Sequence, residues 1–373
     1  MPKGKILVVG GGIAGMSCAW ALNRRGFDVE LFEQGEIPYN ISSSYDEHRI
    51  IRHAYGEMEG YAYLMPQAFN VWDKIWQDLG ARHFDPTPAI YFMRGESDWY
   101  PAVHRSLARM GVPCVDIPLS DVANLYPMLR EDGLTRVVRT EGAGILFPIR
   151  ILTDMAEYLP TRGVRFHPYS KVEEVDVKAG TVKTANGLYR GDKVVICAGA
   201  WVDRLVPGLR GIAVPSRQAV LFLSPPAEYA TAWKNAPVLI DLGEDSGTYT
   251  LPGRPGTRLK IGDHQFSRSG DPDGNRTASA ADIARLKEAA ARAWKDFDHY
   301  TLLEQKACFY TVTADERFIV RPEGEKAWII SACSGHGFKL APLMADRVAA
   351  AIAEEIDPAG VQAWATGRDI PGL

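Results

Sequence analysis

Cysteine is scarce in this chain: five residues in 373 (Cys18, Cys114, Cys197, Cys308 and Cys333), an odd number with no CxxC pair. That pattern excludes a disulfide framework and a zinc site, leaves no metal cluster, and predicts a reducing, cytoplasmic setting. No apolar run approaches the ~20 residues of a membrane span. The first residues enter a strand without a signal-type apolar core or cleavage site. Positive charge is not in excess either. Lys and Arg number 42 against 46 Asp and Glu, a net charge of −4, so neither nucleic acid nor an anionic membrane is an expected partner. No repeat or low-complexity stretch is present. With 24% charged and 46% hydrophobic residues the chain is not disordered, and its length suits two domains or one large one.

What is present begins at the N-terminus. Lys5 to Val9 reads as a buried strand, Ile13 to Arg25 as a helix and Val29 to Glu33 as a second strand, a tight β-α-β unit. Helices are predicted over 61–79 and 151–159, with a short strand from Val164 to His167. Residues 170–197 read as a β-meander with Ala-Gly and Asn-Gly turns. Several short strands follow over 212–265, then a loop at 267–280 and a helix from Ala281 to about Phe297. The chain returns to a strand at Ala327 to Ser331, a Gly-rich turn and a helix from Leu340 to Glu355. The terminal strand and helix are expected to rejoin the N-terminal sheet, making the strand-rich middle a second domain inserted in pieces.

Gly10, Gly12 and Gly15 form a GxGxxG motif directly after a strand and at the opening of a helix, with Ile13 and Ala14 inside it. In that context the glycines allow the tight turn, a close approach to a pyrophosphate and close helix–sheet packing. The helix N-terminus then faces the negative charge. Glu33, 18 residues after Gly15, is placed to accept ribose hydroxyls and to repel a 2′-phosphate, which disfavours NADP. A dinucleotide is expected here; these residues alone leave FAD and NAD both open.

Residues 46–55 gather Asp46, Glu47, His48, Arg49, Arg52 and His53 around two isoleucines. On a helical turn Arg49 and Arg52 would project from one face and suit a carboxylate or phosphate. A solvated face pairing these arginines with Asp46 and Glu47 is the competing reading.

Four segments together resemble the monomeric sarcosine oxidase family, which includes N-methyltryptophan and pipecolate oxidases within the wider D-amino-acid oxidase superfamily. They are the GxGxxG turn, RIIRHAYG at 49–56, ACFY at 307–310 with TADERFI at 313–319, and SGHGFK at 334–339. The resemblance runs from residue 5 to about 350. It implies an α/β fold, with a Rossmann-like FAD-binding domain (1–85, 142–212 and 312–373) and a discontinuous α+β substrate domain on a mixed sheet (86–141 and 213–311).

It further implies FAD held by Gly10, Gly12, Ile13, Ala14, Gly15 and Glu33, with Val172 on the adenine side. Ala198, Gly199 and Trp201 would form a second flavin-contacting turn. Arg49, Ile50, Gly335, Gly337, Phe338 and Lys339 would lie against the cofactor, and Cys308 would form a thioether to the flavin 8α-methyl. Arg52 and Lys339 match the pair that clamps the substrate carboxylate. Lys260 matches a lysine credited with activating oxygen, His264 an active-site histidine, and Tyr249 and Tyr310 residues lining the pocket. His336 is expected to position backbone rather than to act as a base.

The chain departs from the pattern before the first arginine. The usual His-Gly-Asp-Thr is Tyr45-Asp46-Glu47-His48 here, and Leu340 and Pro342 also differ. His48 is therefore expected to suit a second substrate carboxylate. The implied activity is oxidation of a small secondary amino acid such as sarcosine, or an N-carboxymethyl amine such as iminodiacetate, by a monomer. The imine product would hydrolyse and O2 would become H2O2. The alternatives are a D-amino-acid or glycine oxidase-like enzyme with free FAD, a dehydrogenase with another acceptor, and a noncatalytic flavoprotein subunit.

Overall fold

The computed structural model describes residues 2–96 and 98–370. Met1 and 371–373, the extreme ends of the expected FAD-binding domain, lie outside the described residues, as does Ser97.

Four aliphatic residues in a row, Ile6 to Val9, make Lys5–Val9 (β1) a strand that is buried on both faces, as a parallel sheet requires. It leads through the glycine turn into Ile13–Arg24 (α1) and then Asp28–Phe32 (β2), which pairs parallel to β1 with Val8 opposite Leu31. On its other side β1 pairs parallel with Lys193–Ile196, which in turn pairs parallel with Ala327–Ser331. The order of this six-stranded sheet is Ile319–Glu323, Ala327–Ser331, Lys193–Ile196, β1, β2, Arg165–His167. The terminal strand therefore does rejoin the N-terminal sheet. The helix Gly337–Ile352 packs on α1, and a short helix, Val361–Ala365, follows it.

The middle of the chain builds an eight-stranded mixed sheet from Thr301–Val312 to Cys114–Ile117. All its pairs are antiparallel except Val238–Asp241 with Ala89–Arg94.

Two local expectations change. Only Val172–Asp176, Thr181–Thr184 and Gly187–Arg190 form the antiparallel meander; its fourth run, Lys193–Ile196, leaves to join the parallel sheet, where Val194, Val195 and Ile196 are buried. Arg49–Ile51 (β3) is a strand and not a helical turn. The β-branched pair Ile50–Ile51 is stiff at χ1, and the segment finds a partner in Gly144–Leu146. The helix after the 267–280 loop runs over Ala280–Ala293, fixed at its start by a Ser279–Asp282 capping box and ended by extended Trp294. Among the described residues no helix is long and apolar enough to cross a membrane.

Candidate active site

A cavity of about 330 Å³ begins at the end of the parallel sheet and runs on toward the eight-stranded sheet. At its first end are Glu33, Val172, Gly10, Gly12, Ile13 and Ala14. Gly10 holds φ +105°, and a side chain there would strike the Cys197 carbonyl. A side chain at Gly15 would strike the Gly10 carbonyl, so Gly15 does not line the cavity but sets how closely α1 meets the turn. Glu33 closes the turn: its Oε2 accepts from the Gly11 N–H at 2.7 Å and its Oε1 from the Gln34 N–H at 2.7 Å. Burial raises the Glu33 pKa, and these N–H groups offset part of that rise. The α1 N-terminus has no acidic residue in its first turn and no cap from its own Gly12. Ser44, which sequence reasoning did not single out, accepts from the Ile13 N–H at 3.0 Å. The arrangement is a cradle for an anionic dinucleotide, with small residues at the wall and an open helix dipole. Gly15→Val is expected to abolish cofactor retention, read as the ratio of flavin to protein absorbance in the purified protein.

Ala198, Gly199 and Trp201 continue the wall, and Arg49, Ile50, Tyr249, Lys260, His264, Tyr310, Gly335, Gly337, Phe338, Lys339 and Arg52 complete it. The charged segment at 46–52 is not a solvated face. Asp46 is buried, and its Oδ2 accepts from Arg49 Nη1 and, at 2.9 Å, from Lys260 Nζ. Lys260 is fully buried and also donates to the His48 carbonyl at 2.6 Å. Burial pushes Lys260 down to about 8, and Asp46 holds it from falling further. Burial works against Asp46 too, but Arg49 and Lys260 keep its carboxylate ionised, well below the usual range.

His48 does not reach the cavity. Its imidazole is fully buried, with Nε2 2.9 Å from the Arg258 carbonyl. Burial and the neighbouring Lys260 push it down to about 3, so it is neutral and offers no charge to a second carboxylate. Cys308 lies on Thr301–Val312 one position before Phe309 and Tyr310, which do line the cavity. Its thiol is buried and raised by that burial, while Arg49 draws it back down.

At the far end Arg52 and Lys339 form a different kind of site. Both line the cavity wall, Lys339 buried and Arg52 half-buried, and among the described residues neither makes an ion pair. Each cation rests 5.2 Å from the ring centroid of Tyr55, and Arg52 lies 5.9 Å from Tyr91. Arg52 Nη1 is buried without a hydrogen-bond partner. Burial, then the charge of Arg52, depress Lys339 well below the ordinary lysine value. Two such cations without a counter-ion are costly, and a carboxylate from outside satisfies both. His264 stands beside them, its ring 5.2 Å from Tyr249. Burial and these two cations push it down to about 4, so its imidazole is neutral at pH 7. His336 precedes the helix Gly337–Ile352, its ring 5.3 Å from those of Tyr55 and Tyr61. Tyr55 and Tyr91 carried no expectation; only Tyr55, inside RIIRHAYG, had a signal that could have drawn attention to it.

A nucleotide cradle joined to a water-poor chamber that ends in paired cations defines a flavin-dependent oxidoreductase acting on amine donors. The sequence comparisons agree: residues 5–351 match the family described as FAD dependent oxidoreductase, and the chain belongs to that family. It is 29% identical over 346 residues to monomeric sarcosine oxidase of Bacillus sp. (strain B-0618), covering 90% of this chain and 88% of that one. It is 25% identical over 376 residues to N-methyl-L-tryptophan oxidase of Yersinia pestis (strain Pestoides F), covering 97% and 98%. The fold is that of L-proline dehydrogenase from P. horikoshii, with TM-score 0.82, 20% identity and coverage of 99% and 98%. The NikD amino acid oxidase also superposes, with TM-score 0.79 at 19% identity over 95% of each chain. The glycine cradle and Glu33 fit FAD.

Proposed function

We propose that this protein oxidises the C–N bond of a small secondary amino acid with a single carboxylate and an uncharged N-substituent, sarcosine being the simplest case. The observation that carries this reading is the Arg52–Lys339 pair, two cations in the cavity wall, one buried and one half-buried with a buried, unpartnered Nη1, that have no counter-ion among the described residues and suit a ligand's carboxylate. With His48 neutral and outside the cavity and Arg49 already bound to Asp46, neither of these two side chains next to the clamp is left to hold the second carboxylate of a dicarboxylic amine such as iminodiacetate.

The cradle residues from Glu33 to Lys339 would hold the family's cofactor, which would supply a two-electron oxidant for the amine with oxygen as the final acceptor. The chain's own residues do the rest. Arg52 and Lys339 fix the carboxylate and thereby the direction in which the amine points. Neutral His264 carries no positive charge to repel the amine, and can accept a proton from it. Tyr249 and Tyr310, both raised by burial and so uncharged, exclude water while the C–N bond is oxidised. Lys260 presents an ammonium to the negative charge that develops as oxygen is reduced. The balance is one secondary amine, one O2 and one water giving a primary amine, a carbonyl compound and H2O2. The relative called monomeric sarcosine oxidase supports a monomer and this chemistry. Cys308, behind the cationic wall, is proposed as the site of a thioether to the cofactor.

Anaerobic mixing with a panel of N-methyl, cyclic and dicarboxylic amino acids tests the reading. Bleaching of the flavin by a monocarboxylic secondary amine, followed in air by one H2O2 per amine consumed, is the expected result. Bleaching only by primary D-amino acids, or reoxidation by a quinone and not by air, would move the function to one of its rivals.

A further inference from the structure

The Asp46–Lys260–Arg49 group goes beyond binding and orientation. Asp46 is one of the four residues before Arg49 at which this chain departs from the family pattern. It places a buried carboxylate between two cavity-lining cations that face no other acidic group. Lys260 sits on Leu259–Asp263, where its strand neighbours Phe222 and Leu251 offer nothing titratable. The groups that face it are Asp46, neutral His48 and Arg49 from the 46–51 segment, and the Cys308 thiol. A lysine with no exposed surface, next to a guanidinium, loses its proton unless a carboxylate holds it.

Resting on the oxidase reading above, we propose that Asp46 is a positioning residue whose carboxylate pins the Lys260 ammonium at the cavity wall and keeps it charged, thereby setting how fast the reduced enzyme gives its electrons to oxygen. Charge at Lys260 is present below its ionisation and lost above it. Oxygen reduction is therefore fast on the acid side, falls as the lysine loses its proton, and falls at lower pH when Asp46 is removed.

The visible absorption of the bound, oxidised flavin reports that charge without substrate or turnover. Titrated between pH 6 and 9.5, the holoenzyme is expected to show a spectral step near 8. The step should move down by about one unit or more in Asp46→Asn, return toward its place in Asp46→Glu, and vanish in Lys260→Met. The rate of reoxidation by air, after photochemical reduction, should follow the same midpoints. An unmoved step in Asp46→Asn, or a step that survives in Lys260→Met, overturns the proposal. Asp46→Gly, which carries the family's usual residue, serves if Asn does not hold flavin, with the same downward shift expected. None of these readings needs an amine to be oxidised, so a failed substrate panel and a failed titration are separate results.

Discussion

Lys339→Met is expected to lower kcat/KM for the amino-acid substrate by about two to three orders of magnitude, most of it through KM. The estimate follows from the cost of removing one partner of a buried charge interaction, about 2–5 kcal/mol. Lys339 is buried, faces Tyr55 at 5.2 Å, and makes no ion pair among the described residues, so its charge meets a counter-ion only when substrate enters. Arg52→Lys should be nearly as harmful, since a point charge cannot replace a planar fork on a carboxylate. The same reasoning gives the opposite sign for stability. The depressed pKa of Lys339 shows that the fold disfavours its charged form, so at neutral pH the ammonium opposes folding. Lys339→Met should therefore raise the thermal midpoint of the substrate-free protein. Steady-state kinetics and a melting curve on one preparation check both signs. A variant with unaltered KM would remove the carboxylate clamp from the account.

Cys308→Ala should turn a flavin that stays with the acid-denatured protein pellet into one released wholly to the supernatant. The change is all-or-none because a single thioether either forms or does not. Thiolate is the nucleophile, and burial works against it while Arg49 favours it. Arg49→Met should therefore slow attachment even with Cys308 in place. Release of yellow colour from the parent protein would leave Cys308 a core thiol packed beside Gln218.

Much of this was legible in the chain because it is local. The strand, glycine turn and helix lie within twenty residues, and each glycine answers to a backbone contact that the motif itself specifies. Lys339 and Lys260 were reachable only through the resemblance, since nothing nearby tells a solvated lysine from a buried one, and Lys260 has 0% exposure. The Asp46–Lys260 contact joins residues 214 apart in sequence. No periodicity encodes it, and composition left a surface ion cluster as an equally open reading. The displaced fourth strand of the meander is a different case. Lys193–Ile196 carries a continuous apolar run, Val194 to Ile196, where the strands before it carry polar residues, and it pairs with β1 in the sheet that is buried on both faces.

The order of strands in the parallel sheet also has a consequence for synthesis. The partner of β1 on its inner side, Lys193–Ile196, lies more than 180 residues downstream, and the strand beyond that begins at Ala327. At translation rates of about 5–20 residues per second, β1 waits on the order of 10–40 s with an apolar edge unpaired. Through most of synthesis that edge is open to pairing with other chains. The cavity wall itself is completed late, since Phe338 and Lys339 come from the helix Gly337–Ile352.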